Sequence, residues 1–244
     1  MLNYNFFKSQ NDSKQLLVML HGFISDSTTY DSHIEQLSQH VNVLTIDLPG
    51  HGKDTSDMND TWDFPYIAHA LDEVLSQYDM YDVYLLGYSM GGRVALYYAL
   101  NGSVALRGLL LESTSAGIQS EADKVERVQV DAARAKVLEI AGLEIFVNDW
   151  EKLPLFRSQY ELDAEVRKAI RANRMSQNPV RLAKALRDYG TGNMPNLWPH
   201  VSSLSVRTLI LTGEKDEKFV QIGQKLKEEI PNSCLIKTSP IQRD

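Results

Sequence analysis

The chain has 244 residues, 43% hydrophobic and 23% charged, a balance that fits one folded domain and excludes a disordered polymer. A formal net charge of −7 argues against a general binder of nucleic acid or anionic membranes, so an anionic ligand needs local cationic groups acting against the overall field. No apolar run approaches the roughly 20 residues that cross a bilayer, the opening MLNYNFFKSQNDSK is no secretion signal, and the single cysteine cannot staple the fold, so a cytoplasmic protein is expected with Cys234 a small buried hydrophobe.

Residues 15–20 (QLLVML) predict a strand ending at His21-Gly22, followed by a helix over about 30–39. VNVLTI (41–46) predicts the next strand, which runs into the turn-rich DLPGHGKDTSD. A helix over about 64–78, a strand at 83–87 (VYLLG), a helix over 90–100 and a strand at 107–113 (RGLLLES) come next. Between 114 and 190 the strand rhythm stops. Charged sequence with helical spacing (EADKVERVQVDAARAKVLEIAG, LDAEVRKAIRANRM) reads there as an inserted helical cap. The alternation resumes with VRTLILTG (206–213), a helix over 217–230 and SCLIKTS (233–239). Continuous apolar strands alternating with helices imply a mostly parallel sheet covered on both faces. The expected division is a core of 1–113 and 191–244 with a cap of 114–190, and no internal repeat is visible.

Residues 87–91, Gly-Tyr-Ser-Met-Gly, place a G-x-S-x-G directly after an apolar strand and directly before helix-forming sequence. Small neighbours let the backbone turn sharply and hold Ser89 in a strained, exposed position, with its oxygen near a helix N-terminus that favours negative charge. The arrangement resembles the α/β-hydrolase fold. In proteins of that fold the loop after the earlier strand, here His21-Gly22-Phe23, supplies the Phe23 N–H to an oxyanion hole whose second donor is the Met90 N–H. His21 itself reads as a structural hydrogen-bonder. The acid is expected after a later strand, which selects Asp216 in Gly-Glu-Lys-Asp, although a helix cap is its bland alternative. Asp47 also follows a strand but precedes Ser89, against the usual order of Ser, acid, His.

The base should follow SCLIKTS and precede a closing helix, yet the chain ends PIQRD and carries no histidine after His200. His33 and His40 read as exposed helix-face residues, His69 as helical and His51 as part of a Gly-flanked loop. The expectation is a C-terminally shortened member of its kind, with nucleophile and acid but no obvious base, impaired turnover, and apolar sheet surface left uncovered.

LHGF (20–23), DLPGHG (47–52), GYSMGGRVALYYAL (87–100), FVNDWEKLPLF (146–156), LRDYGTGNMPNLW (186–198) and GEKDEKFVQI (213–222) sharpen the resemblance. Together they resemble the 2-succinyl-6-hydroxy-2,4-cyclohexadiene-1-carboxylate synthases of menaquinone biosynthesis. The resemblance implies a lyase that eliminates pyruvate from a succinyl-bearing cyclohexene, with Ser89 acting as base toward a proton alpha to the succinyl carbonyl. It implies carboxylate binding by Arg93, Arg127 and Arg174, with Arg171 a rival for Arg174, and a pocket lined by Tyr88 and Trp150. Arg93 has independent support, because it lies one helical turn after Ser89, where a neutral ester would gain nothing from a guanidinium. No metal or organic cofactor is expected, and the partner is a small anionic substrate rather than nucleic acid or membrane, bound by a monomer or homodimer. Two other readings stay open, a hydrolase of small esters, thioesters or carbon–carbon bonds, and a catalytically inactive ligand-binding form.

Overall fold

The computed structural model describes residues 1–239 of the chain. The expectations that rest on the final PIQRD lie outside the described residues. Strand β1 (Asn3–Phe7) opens the chain, followed by β2 (Gln15–Leu20), helix α1 (Asp31–Ser38), β3 (Asn42–Asp47) and α2 (Phe64–Leu75). Then come β4 (Asp82–Tyr88), α3 (Met90–Asn101) and β5 (Leu106–Glu112). Four helices with no strand among them follow: α4 (Glu121–Ile140), α5 (Gly142–Trp150), α6 (Ala164–Met175) and α7 (Pro179–Tyr189). The chain returns through β6 (Thr208–Gly213), α8 (Glu217–Glu229) and β7 (Ser233–Thr238).

The seven strands form one sheet in the order β1-β3-β2-β4-β5-β6-β7, parallel throughout except for antiparallel β1. This is the α/β-hydrolase architecture, with helices packed on the sheet. All six residues of β3 are buried and α3 lies almost wholly inside, which is why both read as near-continuous apolar sequence. Strand β1 is absent from the sequence-based expectations because NYNFF is short and half-covered, without the apolar run of its neighbours. Cys234 is exposed, not buried, since β7 is an edge strand with alternate residues uncovered. Among the described residues no helix is long and apolar enough to cross a membrane.

The helical insertion has a small core of its own, in which Ala135, Leu138, Phe146, Val147, Leu182 and Leu186 close around Ile24 from the loop after β2. Polar ties fix it to the sheet loops. Arg181 donates to Asp54 at 2.6 Å and lies 5.0 Å above the Trp62 ring, while Asp188 accepts the Trp62 backbone N–H at 2.8 Å. Gln177 bridges Asp26 (2.8 Å) and the Gly52 N–H (2.9 Å). The insertion is therefore seated on the C-terminal ends of the parallel strands, where open α/β sheets gather their functional groups.

Candidate active site

Ser89 stands between β4 and α3 at φ +52°, a conformation that L-residues rarely adopt. Its backbone is pinned from three directions. Its N–H donates to the Glu112 carbonyl (2.9 Å), its carbonyl accepts the Thr114 hydroxyl (2.8 Å), and the Gly91 N–H donates to the His21 carbonyl (3.0 Å). The flanking glycines are demanded by closeness. A Cβ on Gly87 would sit 2.3 Å from the Gly91 carbonyl oxygen, and one on Gly91 2.2 Å from the Leu20 carbonyl oxygen.

Across from it, the loop after β2 brings Phe23 up beneath the insertion. Gly22 has no room for a side chain, because a Cβ would lie 2.9 Å from the Tyr88 ring. The next residue, Ile24, is at φ +56°, and Ser113 at the end of β5 is at +45°. Neither the Phe23 N–H nor the Met90 N–H has a hydrogen-bond partner among the described residues. The Met90 donor is free because it opens α3, and the first N–H groups of a helix have no intrahelical acceptor.

His21 is buried and fully engaged. Its Nε2 accepts the Leu48 N–H at 3.0 Å and its Nδ1 faces the Gly22 carbonyl at 2.7 Å, while burial pushes its pKa down. His51, in its Gly-flanked loop after β3, is buried too. Burial, and then the neighbouring His21, push it down to about 3. Its Nδ1 lies 3.1 Å from the Pro49 carbonyl and 3.2 Å from the Tyr189 hydroxyl. His33, His40, His69 and His200 are exposed. No histidine among the described residues hydrogen-bonds to Ser89 or Asp216.

Asp216 follows β6 and caps α8, accepting the Phe219 N–H at 3.1 Å. Burial raises the Tyr88 phenol pKa, Glu112 and Asp216 raise it further, and Arg174 opposes them, so all three charges bear on the residue beside Ser89. Asp47, the carboxylate that ends β3, is wholly occupied. It accepts the Ser27 N–H (2.8 Å), the Lys53 N–H (2.9 Å) and the Asn3 side-chain amide (2.8 Å) and serves as a loop clamp.

Arg93 is buried in α3, and its side chain makes one hydrogen bond among the described residues, from Nη1 to the Tyr189 carbonyl at 3.3 Å. Burial and then repulsion from Arg127 push its pKa down to about 10. Arg127 reaches in from α4 and donates through Nε to Asp131 at 2.8 Å. Of the two rivals on α6, Arg174 is buried and bears on Tyr88, donating to Glu151 (3.0 Å) and Gln159 (2.9 Å). Arg171 is more exposed and binds Glu151 (2.6 Å) and Asn148 (2.7 Å). Trp150 stacks on Phe146 at 5.5 Å and meets the Phe23 ring edge-on at 5.3 Å. Its indole N–H is buried with no acceptor among the described residues.

Sequence reasoning passed over Glu112, Asp131 and Arg134. Glu112 ends β5 across from Tyr88, and burial raises its pKa. No local motif marks it, since its place depends on strand pairing. Asp131 and Arg134 carried a signal, because positions 127, 131 and 134 share one face of α4.

The comparisons agree with this geometry. The model of the alpha/beta hydrolase family matches residues 17–235. A solved structure of MenH from S. aureus superposes with a TM-score of 0.97 at 57% identity, covering 98% of this chain and 90% of that one. The 2-succinyl-6-hydroxy-2,4-cyclohexadiene-1-carboxylate synthase of Salmonella agona (strain SL483) is 34% identical over 86% of this chain and 81% of its own length. A protein of Bacillus subtilis (strain 168), provisionally given the same name, is 34% identical over 91% of this chain and 81% of its own. Identity at this level over most of the length of these proteins, together with the family match, places the chain in the alpha/beta hydrolase family and, within it, among the 2-succinyl-6-hydroxy-2,4-cyclohexadiene-1-carboxylate synthases.

Proposed function

We propose that this chain eliminates pyruvate from 2-succinyl-5-enolpyruvyl-6-hydroxy-3-cyclohexene-1-carboxylate to give 2-succinyl-6-hydroxy-2,4-cyclohexadiene-1-carboxylate, the lyase step its named relatives suggest. The observation that carries the reading is Arg93, a buried guanidinium one turn from Ser89 and pressed by a second arginine. A neutral ester has no use for that charge, whereas a polycarboxylate does. Ser89, relieved of its proton, removes the proton alpha to the succinyl carbonyl. The dienolate oxygen that develops is held by the idle N–H groups of Phe23 and Met90; its collapse breaks the ring C–O bond to the enolpyruvyl group and completes the diene, and the departing enolate takes up the abstracted proton to become pyruvate. Arg93, Arg127 and Arg174 hold the carboxylates, and Tyr88 and Trp150 wall the pocket. Residues 1–113 and 191–244 act as the core and 114–190 as the cap. No metal or organic cofactor takes part, and a cytoplasmic site of action fits the single cysteine.

Asp216 is the acid of the triad, with one carboxylate oxygen on the α8 cap and the other without a hydrogen-bond partner among the described residues, available to a base. That base is none of the six histidines of these 244 residues, so the chain alone turns over slowly. Pyruvate release tests this, measured for the chain and for the same chain extended by a histidine-bearing segment and helix. The extension is expected to raise the rate by about three orders of magnitude or more, and Ser89→Ala to abolish the gain. Turnover of neutral aryl esters by the extended chain, with no pyruvate released, would replace the lyase by a hydrolase.

A further inference from the structure

The face of α4 that carries Arg127 also carries Arg134, with Asp131 between them. Asp131 is sealed from solvent. Its Oδ1 accepts Arg127 Nε at 2.8 Å, its Oδ2 accepts the Gly192 N–H at 3.1 Å, and Arg134 stands off at 3.9 Å. The Gly190-Thr191-Gly192 run is the seat for this contact. A Cβ on Gly190 would lie 2.7 Å from the Asp131 carboxylate, and one on Gly192 2.6 Å from the Val128 backbone nitrogen. The preceding residue, Tyr189, gives its carbonyl to Arg93. Arg127 and Arg134 thus share one carboxylate, and the buried Arg93, repelled by Arg127, donates only to a carbonyl among the described residues, so positive charge is in excess here in a molecule whose net charge is negative.

Arg134 is the least satisfied of the three. It is half-buried, makes no hydrogen bond among the described residues, and lies 5.3 Å above the Trp150 ring. Beyond Trp150 the pattern repeats with less charge. Phe156 lies 5.7 Å from Trp150, Arg174 lies 4.8 Å over Phe156, and Arg174 and Arg171 share the single carboxylate of Glu151. A partly desolvated guanidinium with idle donors is unfavourable until an anion meets it.

We propose that Arg134 is a further carboxylate-reading residue of this site, poised between Asp131 and the Trp150 ring, in a pocket with two cationic poles on either side of the Trp150–Phe156 wall. The pole around Asp131 is the stronger and the pole around Glu151 the weaker. The ligand class that fits is an elongated polycarboxylate, carrying more negative charge at the Asp131 end and a flat segment along Trp150. The inference rests on the arginine reading above and adds a residue to it. A planar guanidinium stacks on the indole as an ammonium does not, so Lys is a poor replacement.

The test is calorimetric titration of the full chain with tricarballylate, succinate and acetate, comparing wild type with Arg134→Gln, Arg134→Lys and Arg127→Gln. Wild type is expected to prefer the tricarboxylate strongly. Arg134→Gln should weaken it about tenfold while barely changing acetate, with Arg134→Lys recovering only part of the loss. Thermal melting confirms that each variant is folded, and either substitution at 134 suffices. If both variants at 134 bind tricarballylate as wild type does while Arg127→Gln binds it about tenfold more weakly, Arg134 is a solvated charge and the inference falls, with the arginine reading intact. If none of the three substitutions changes the affinity, the arginine reading falls with it.

Discussion

Three of the four non-glycine residues with positive φ, namely Ile24, Ser89 and Ser113, lie at the C-terminal ends of β2, β4 and β5 around the site. Each such conformation costs about 1–3 kcal/mol and persists only where its surroundings over-determine it. At Ser89 the clamps are its own bonds to Glu112 and Thr114 and the neighbouring bond from the Gly91 N–H to His21, so the side chain can be changed without losing the turn. In the chain extended by a histidine-bearing segment, Ser89→Ala is expected to abolish pyruvate release with circular dichroism unchanged. Ser89→Gly should abolish it too and melt about 2–4 °C above the alanine variant, since glycine releases about 1 kcal/mol of strain. A glycine variant melting below the alanine variant would mean that the turn is unstrained. Ile24 is the sharper case, because a β-branched residue at φ +56° is rarer still and its side chain is only 1% exposed. Its packing in the insertion core offsets the strain. Ile24→Ala should cost about 2–4 kcal/mol in urea unfolding, from lost apolar contact and the cavity left behind. Ile24→Gly loses the same contacts but relaxes the backbone, so it should be no less stable than Ile24→Ala, the reverse of the usual order. A glycine variant less stable by 1 kcal/mol would refute that account.

Helix α3 reaches the sheet only because Gly91 lets its first turn lie on the end of β2. Gly91→Ala puts a methyl 2.2 Å from the Leu20 carbonyl oxygen and should lift the helix, with insoluble protein or a loss of several kcal/mol in urea unfolding. Gly213→Ala is the control, because a Cβ there meets nothing within 4 Å, and it should unfold like wild type. This contrast shows where the elements were legible. A parallel sheet buried on both faces writes itself as apolar runs, so β2 to β7 fall within about two residues of their expected ends, and α1, α2, α3 and α8 within about three. The nucleophile turn was legible because its steric demands are met within five consecutive residues. Elements whose environment comes from partners were not. Strand β1 depends on pairing with β3, and the exposure of Cys234 depends on β7 being an edge. The cationic poles stayed hidden for the same reason. The i, i+4, i+7 spacing of Arg127, Asp131 and Arg134 could be read, but nothing local tells that Gly192 and Tyr189 close the cluster from some 60 residues away. The burial of the loop residue His51 was not legible either, because α7 and the β2 loop supply it.

At the scale of the molecule, insertion and sheet meet over a pair of buried neutral histidines. The rings of His21 and His51 are 5.1 Å apart, Phe23 stands edge-on to His51 at 5.5 Å, and Tyr189 of the insertion faces His51 at 3.2 Å. Protonating His51 would place a charge where burial and a second imidazole both oppose it, so its pKa falls from 6.5 to about 3 in the folded state. Between those values the unfolded chain binds a proton at this position that the folded chain refuses. Stability therefore rises with pH across the window and is lost on acidification, with a slope of up to about 1.4 kcal/mol per pH unit from this one group. Carboxylates act lower. Asp26, which burial pushes up but bonds from Thr28, Asn173 and Gln177 pull further down, is expected to cost stability only as the pH falls below its ordinary value of 3.8. Urea unfolding between pH 6.5 and pH 4.5 separates the two. His51→Gln should lower stability at pH 7.5, since the site is tightly packed, yet its stability should decline less steeply over that window, by about one proton's worth. His21 remains in the variant and supplies a residual slope, because burial lowers its pKa as well. Parallel slopes for variant and wild type would mean that His51 takes up its proton as readily folded as unfolded. The contact between insertion and sheet would then be open to water at the very residue that backs Phe23, and the dry site on which the proposed dienolate chemistry depends would be lost with it.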